Sequence, residues 1–68
     1  MIYINIKEDY INLGQFLKIA DLVSSGGETK AFLANNEILV NNELENRRGR
    51  KLYKDTEIEV LGKKYKIC

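Results

Sequence analysis

Ile11-Asn12-Leu13-Gly14-Gln15-Phe16-Leu17-Lys18-Ile19-Ala20 decides how this chain folds. Asn12 suits a helix N-cap, because its side-chain oxygen can accept from first-turn N–H groups that have no partner inside the helix. Gln15, three residues on, can reach back to the Asn12 backbone. Ile11 and Phe16 occupy the two positions of a hydrophobic staple. Leu13, Phe16, Leu17 and Ala20 recur at i, i+3, i+4 and i+7, which lays one apolar stripe along the helix and leaves Lys18 off it. The pattern predicts a helix ending near Leu22 or Val23. Ser25-Gly26-Gly27-Glu28 repeats the capping-box spacing and opens a second helix through about Ala34, with Asn35-Asn36 suited to a left-handed exit. Phe16 and Phe32 fall at core positions of these helices.

Working outward, Ile2, Ile4 and Ile6 alternate with Tyr3, Asn5 and Lys7, the period of a strand with one buried face, and Glu8-Asp9-Tyr10 turns the chain toward the first helix. Beyond the helices, Ile38-Leu39-Val40 reads as a strand, and Asn41-Asn42 can supply the positive φ values of a two-residue turn. Asp55-Thr56 suits another turn. Ile58 and Val60 then alternate with Glu57 and Glu59, and Leu61-Gly62-Lys63-Lys64 turns the chain into Tyr65-Lys66-Ile67. The expected fold class is α+β: two short helices packed on a small, mostly antiparallel sheet, with one strand before the helices and three or four after. Residues 1–68 should form a single domain.

The total charge of +1 hides a segregation. Residues 1–45 hold three lysines against seven acids, whereas residues 46–68 hold eight basic residues against three acids. Asn46-Arg47-Arg48-Gly49-Arg50-Lys51 concentrates that positive charge around a glycine where a phosphate backbone could sit. Arg47, Arg48, Arg50 and Lys51 are the candidate phosphate contacts, the arginines through paired donors that match phosphate oxygens. The competing reading is a solvated loop or edge strand kept basic to discourage edge pairing. Ser25, Gly26 and Gly27 lie where free N–H groups and a helix dipole favour an anion, with Lys30 about one turn further in; Glu28 would compete for the same donors.

Other chemistries find little support. The chain has no histidine and its single Cys68 cannot form an internal disulfide, so neither a metal site nor a cofactor is expected, and a reducing, cytoplasmic setting is. The opening Met-Ile-Tyr-Ile-Asn lacks the features of a signal peptide, and no apolar run approaches membrane-spanning length, so no membrane contact is expected. Glu43, Glu45, Glu57 and Glu59 read as surface charge, the first two able to pair with the basic run. With no nucleophile or histidine beside them, no catalytic residues and no small-molecule substrate are expected. Tyr3, Tyr53 and Tyr65 are expected to pack partly on the sheet, Tyr53 being closest to the basic run, and no cluster of exposed aromatics for single-strand stacking is evident. The two helices carry too few base-reading side chains for duplex DNA recognition.

The order Leu13-Gly14-Gln15-Phe16-Leu17-Lys18, Ser25-Gly26-Gly27-Glu28-Thr29-Lys30, Ile38-Leu39-Val40-Asn41-Asn42, Arg47-Arg48-Gly49-Arg50-Lys51-Leu52 and Lys54-Asp55 resembles the RNA-binding domain named after small-subunit ribosomal protein S-four. The likeness runs over roughly residues 11–60 and is strongest to the small stand-alone bacterial YaaA/YbcJ-like members. Asn12-Leu13-Gly14 stands where many members carry Arg-Leu-Asp, and Val40-Asn41-Asn42 replaces the usual Val-Asn-Gly turn. The resemblance implies a two-helix alpha-L motif on a small sheet and non-catalytic binding of structured RNA, ribosomal RNA or a ribosomal particle, by a monomer. It also brings Lys18 onto the RNA-binding face. The alternative is a protein-interaction module whose basic strip meets an acidic partner.

Overall fold

The computed structural model describes residues 1–68. In chain order it contains β1 (Ile2–Ile4), β2 (Tyr10–Asn12), α1 (Leu13–Ile19), α2 (Gly26–Asn35), β3 (Ile38–Val40), β4 (Glu43–Leu44), β5 (Lys51–Tyr53), β6 (Glu57–Val60) and β7 (Lys63–Ile67). Five strands form one sheet in the order β1-β7-β6-β3-β4, antiparallel except for the parallel pair β1–β7; β2 and β5 form a separate antiparallel ribbon. The α+β expectation holds. The ribbon was not legible beforehand: Tyr10, expected in a turn, starts β2 and pairs with Tyr53.

The N-cap of α1 forms as its residue types dictate. Gln15 N–H donates to Asn12 Oδ1 at 2.8 Å and Asn12 N–H donates to Gln15 Oε1 at 2.9 Å. The staple residues Ile11 and Phe16 both lie in the core. The helix ends earlier than its apolar spacing predicts, because Asp21 turns left-handed at φ 61°. Asp21 N–H then reaches Lys18 O at 3.0 Å and Leu22 N–H reaches Leu17 O at 2.9 Å, the paired bonds of a Schellman termination with aspartate in glycine's usual place.

Ser25 caps α2 by accepting from Glu28 N–H at 3.3 Å. The reciprocal half of the box is absent, since the Glu28 carboxylate accepts from Ser24 Oγ instead. The exit is also different from the expected left-handed one: Asn35 stays helical and Asn36 is extended. Their side-chain amides donate back to Ala31 O at 2.8 Å and Phe32 O at 3.1 Å, satisfying last-turn carbonyls without a left-handed residue.

Thirteen buried apolar residues form one core between sheet, ribbon and helices. Leu13, Phe16 and Leu17 of α1 are fully buried, each contributing about 1.5–3 kcal/mol of apolar burial. Phe16 meets Tyr65 of β7 edge-on, with ring centroids 5.2 Å apart. Phe32 only partly buries against this core, and Ile2 of the expected inward strand face is exposed. The Asn41-Asn42 turn forms as read, at φ 50° and 69°, whereas the turn expected over Leu61–Lys64 is confined to Leu61-Gly62 at 52° and 74°, because Lys63 and Lys64 already belong to β7. No helix is long and apolar enough to cross a membrane.

Candidate nucleic-acid interface

The basic run fills the loop joining β4 to β5 and ends at Lys51, the first residue of β5, and its backbone is fastened to the start of α1. Leu13 N–H donates to Arg50 O and Gly14 N–H to Arg48 O, both at 2.9 Å. With Gln15 N–H taken by Asn12, the leading donors of α1 are occupied by the loop and the cap. The positive end of α1 therefore holds loop carbonyls in place. Gly14 permits this approach: a Cβ there would stand 3.4 Å from Asn12 Oδ1, 3.6 Å from the Arg48 carbonyl and 3.6 Å from Thr29 Cγ2. A side chain longer than alanine would press on the loop or on α2.

A second fastening is ionic. Glu45 Oε2 accepts from Arg47 Nε at 2.9 Å and from the backbone N–H groups of Asn46 and Arg47 at 3.2 and 3.1 Å. Its Oε1 accepts from Arg47 Nη2 at 3.1 Å and Arg50 Nη1 at 2.8 Å. The pairing with the basic run is present, but the surface reading of Glu45 is corrected: its side chain is only 6% exposed. Two guanidinium groups and two backbone N–H groups converge on it, at a position beside the buried start of β3. Val40 faces Glu43 and Leu39 faces Leu44, so Glu45, whose N–H reaches Ile38 O at 2.9 Å, follows opposite buried Ile38.

The hydrogen bond from Arg47, aided by Arg50 and opposed by burial, lowers the Glu45 pKa from 4.5 to about 2. The same pair raises that of Arg47. A depressed carboxylate pKa stabilises the fold fully above the unfolded value, and that stabilisation is lost as pH falls toward the folded one. Stability should therefore decline between pH 4.5 and about 2 through this group. Acid titration of the wild type and Glu45→Gln checks this: the variant should lack that component, and identical acid profiles would exclude it.

The other candidates separate into groups. Arg48 makes no ion pair, and its guanidinium lies against the start of α2, with Nη2 3.8 Å from where a Gly26 Cβ would stand. Arg48 and Lys30 line one concavity with Leu33, Ala34 and Asn46. Gly26 and Gly27 begin α2 beside them, and Ser25 supplies the cap. Arg47, Arg50 and Lys51 line a different concavity with Gly49 and Tyr53. The Arg47 fork expected to grip phosphate is engaged by Glu45 on Nε and Nη2. Lys18 is exposed and lines a third concavity with Lys7 and Gln15, so the structure does not bring it to either group. The sequence also missed Tyr10, which packs beside Tyr53 with ring centroids 5.4 Å apart while Lys51 Nζ sits 5.0 Å from its ring centroid. Both tyrosines are exposed, correcting the absence of an aromatic cluster.

A model of the S4 domain family matches residues 4–68. Over 59 residues the chain is 54% identical to a Bacillus subtilis (strain 168) protein named "Probable ribosome maturation protein RlbA", covering 87% of this chain and 83% of that one. No solved structure matches.

Proposed function

The chain belongs to the S4 domain family, and on that premise we propose that it binds structured RNA, ribosomal RNA or a ribosome-maturation particle, without catalysis. The observation that carries this reading is the placement of Arg48. Its backbone carbonyl is fastened to α1, which leaves an unpaired guanidinium at the start of α2 in a concavity shared with Lys30. A guanidinium presents paired donors matched to phosphate oxygens, and Lys30 adds a point charge. The Gly26 and Gly27 N–H groups at the helix start favour an anion, while Glu28 is drawn toward Ser24.

Such a face reads backbone position and helix shape, the mode by which proteins grip paired RNA. The named function of the Bacillus relative agrees with a ribosomal partner. Binding rather than chemistry also accords with Glu45, whose pKa is lowered by its arginines, opposite to the upward shift suited to a general acid near neutral pH. One chain carries the whole proposed face, so a monomer is expected to suffice.

The test is the double variant Lys30→Ala/Arg48→Ala. Both side chains are exposed, so thermal stability should stay near wild type. Affinity for hairpin-rich ribosomal RNA should fall, and the slope of log affinity against log salt should shrink by about 1 per lost phosphate contact. A folded variant with wild-type affinity and slope would remove these residues from the site. Binding by the wild type to an acidic protein but to no RNA would favour the protein-interaction alternative.

A further inference from the structure

We propose that the outer face of the β2–β5 ribbon is a stacking subsite for one unpaired base of the RNA, with Tyr53 as its platform. This rests on the RNA-binding reading and adds to it a preference for an unpaired base beside a paired stem. Ile11 and Leu52, directly opposite one another, turn into the core at 4% and 0% exposure. Period-2 alternation then turns Tyr10, Tyr53 and Lys51 outward. Tyr10 lies opposite Tyr53, and their rings meet tilted at 50°. Lys51 is positioned over Tyr10, whereas Tyr53 is 51% exposed and lines an open concavity of about 580 Å³ with Arg47, Arg50, Lys51 and Thr56.

This combination fits a nucleotide. An exposed ring offers a π-face to any base, and Tyr10 restrains that ring from the side. Lys51, with Arg47 and Arg50 sharing the single Glu45 carboxylate, leaves a net positive charge around the same hollow, where the phosphates flanking a stacked base would lie. Glu45 pairs with both Arg47 and Arg50, which supplies part of the ordering needed for binding. The hollow and the Arg48 group are formed by the same short loop, so a bulged or looped base beside a paired stem would meet both. A fully paired stem would offer phosphates to Arg48 and nothing to Tyr53.

The experiment compares two fluorescently labelled RNA stems of equal length and charge, one fully paired and one carrying a single-nucleotide bulge with 2-aminopurine at the bulge. Wild type should prefer the bulged stem and quench the 2-aminopurine. Tyr53→Leu should bind the bulged stem about five- to hundredfold more weakly, restore its fluorescence and leave the paired stem unaffected. Tyr53→Phe, which retains the ring, should behave as wild type. Tyr53 is half-exposed, and circular dichroism of each variant establishes that it is folded. Wild type binding both stems equally, or Tyr53→Leu weakening both alike, would overturn the subsite and leave phosphate-mediated RNA binding intact. Failure of the wild type to bind either stem at low salt would overturn both.

Discussion

Phe16→Ala should remove a large share of the chain's stability at 25 °C and move its urea midpoint far below that of the wild type. Phe16 is fully buried at the centre of the core, where it meets Tyr65 edge-on and joins α1 to the sheet. Truncating a buried phenylalanine costs about 3–5 kcal/mol, because apolar burial is lost and the cavity collapses only in part. Total stability at about 0.05–0.15 kcal/mol per residue gives this 68-residue chain only roughly 3–10 kcal/mol. Urea unfolding followed by far-UV circular dichroism measures the effect. Phe16→Leu should retain most of the transition, and a wild-type midpoint for Phe16→Ala would show that the core is centred elsewhere.

Glu45→Ala should have the next largest effect, and it should disturb the loop more than the core. Two backbone N–H groups and two guanidinium groups converge on this carboxylate. Removing it leaves the part-buried donors of Asn46 and Arg47 without an acceptor, at a cost of about 1–3 kcal/mol. It also frees like charges to repel one another in the loop. Hydrogen exchange should therefore quicken at Leu13 and Gly14, whose N–H groups bond the Arg50 and Arg48 carbonyls, with smaller changes in β6 and β7. Unchanged protection at Leu13 and Gly14 would show that the backbone fastening does not depend on Glu45. The same geometry bears on loop mutagenesis: replacing Arg47 and Arg50 together strands a buried carboxylate, so weaker RNA binding by that variant would mix misfolding with lost contacts. Arg48 and Lys30 avoid this difficulty.

Local signals carried much of the fold because they are short in range. The Asn12–Gln15 cap, the apolar stripe through Phe16 and Leu17, and the Asn41-Asn42 turn each depend on residues within a few positions of one another. The exit of α1 was misread because apolar spacing continues through Leu22 and Val23, while termination depends on Asp21 adopting a left-handed backbone. The β2–β5 ribbon joins residues some forty positions apart, and three-residue strands leave too little alternation to reveal such pairing.

The candidate site was legible in composition but not in arrangement. Arg47-Arg48-Gly49-Arg50-Lys51 stands out in sequence, yet the division of labour within it, Arg47 and Arg50 toward Glu45 and Arg48 toward α2, depends on tertiary contacts. Glu45 had only a partial signal, one it shares with Glu43, which faces buried Val40 and yet is exposed. Counting back across the Asn41-Asn42 turn puts Glu45 opposite Ile38, on the face that Ile38 and Val40 bury. Tyr10 had none, because only its pairing with Tyr53 gives it a neighbour.

The most direct test of the account is an anisotropy titration of purified wild-type protein against a hairpin-rich ribosomal RNA fragment and a length-matched DNA duplex at several salt concentrations. Binding through phosphates on an RNA-shaped face predicts preference for the RNA and an affinity that falls linearly on log–log axes, with a slope equivalent to a few phosphate contacts. Absence of RNA binding at low salt, by protein shown to be folded, would contradict it.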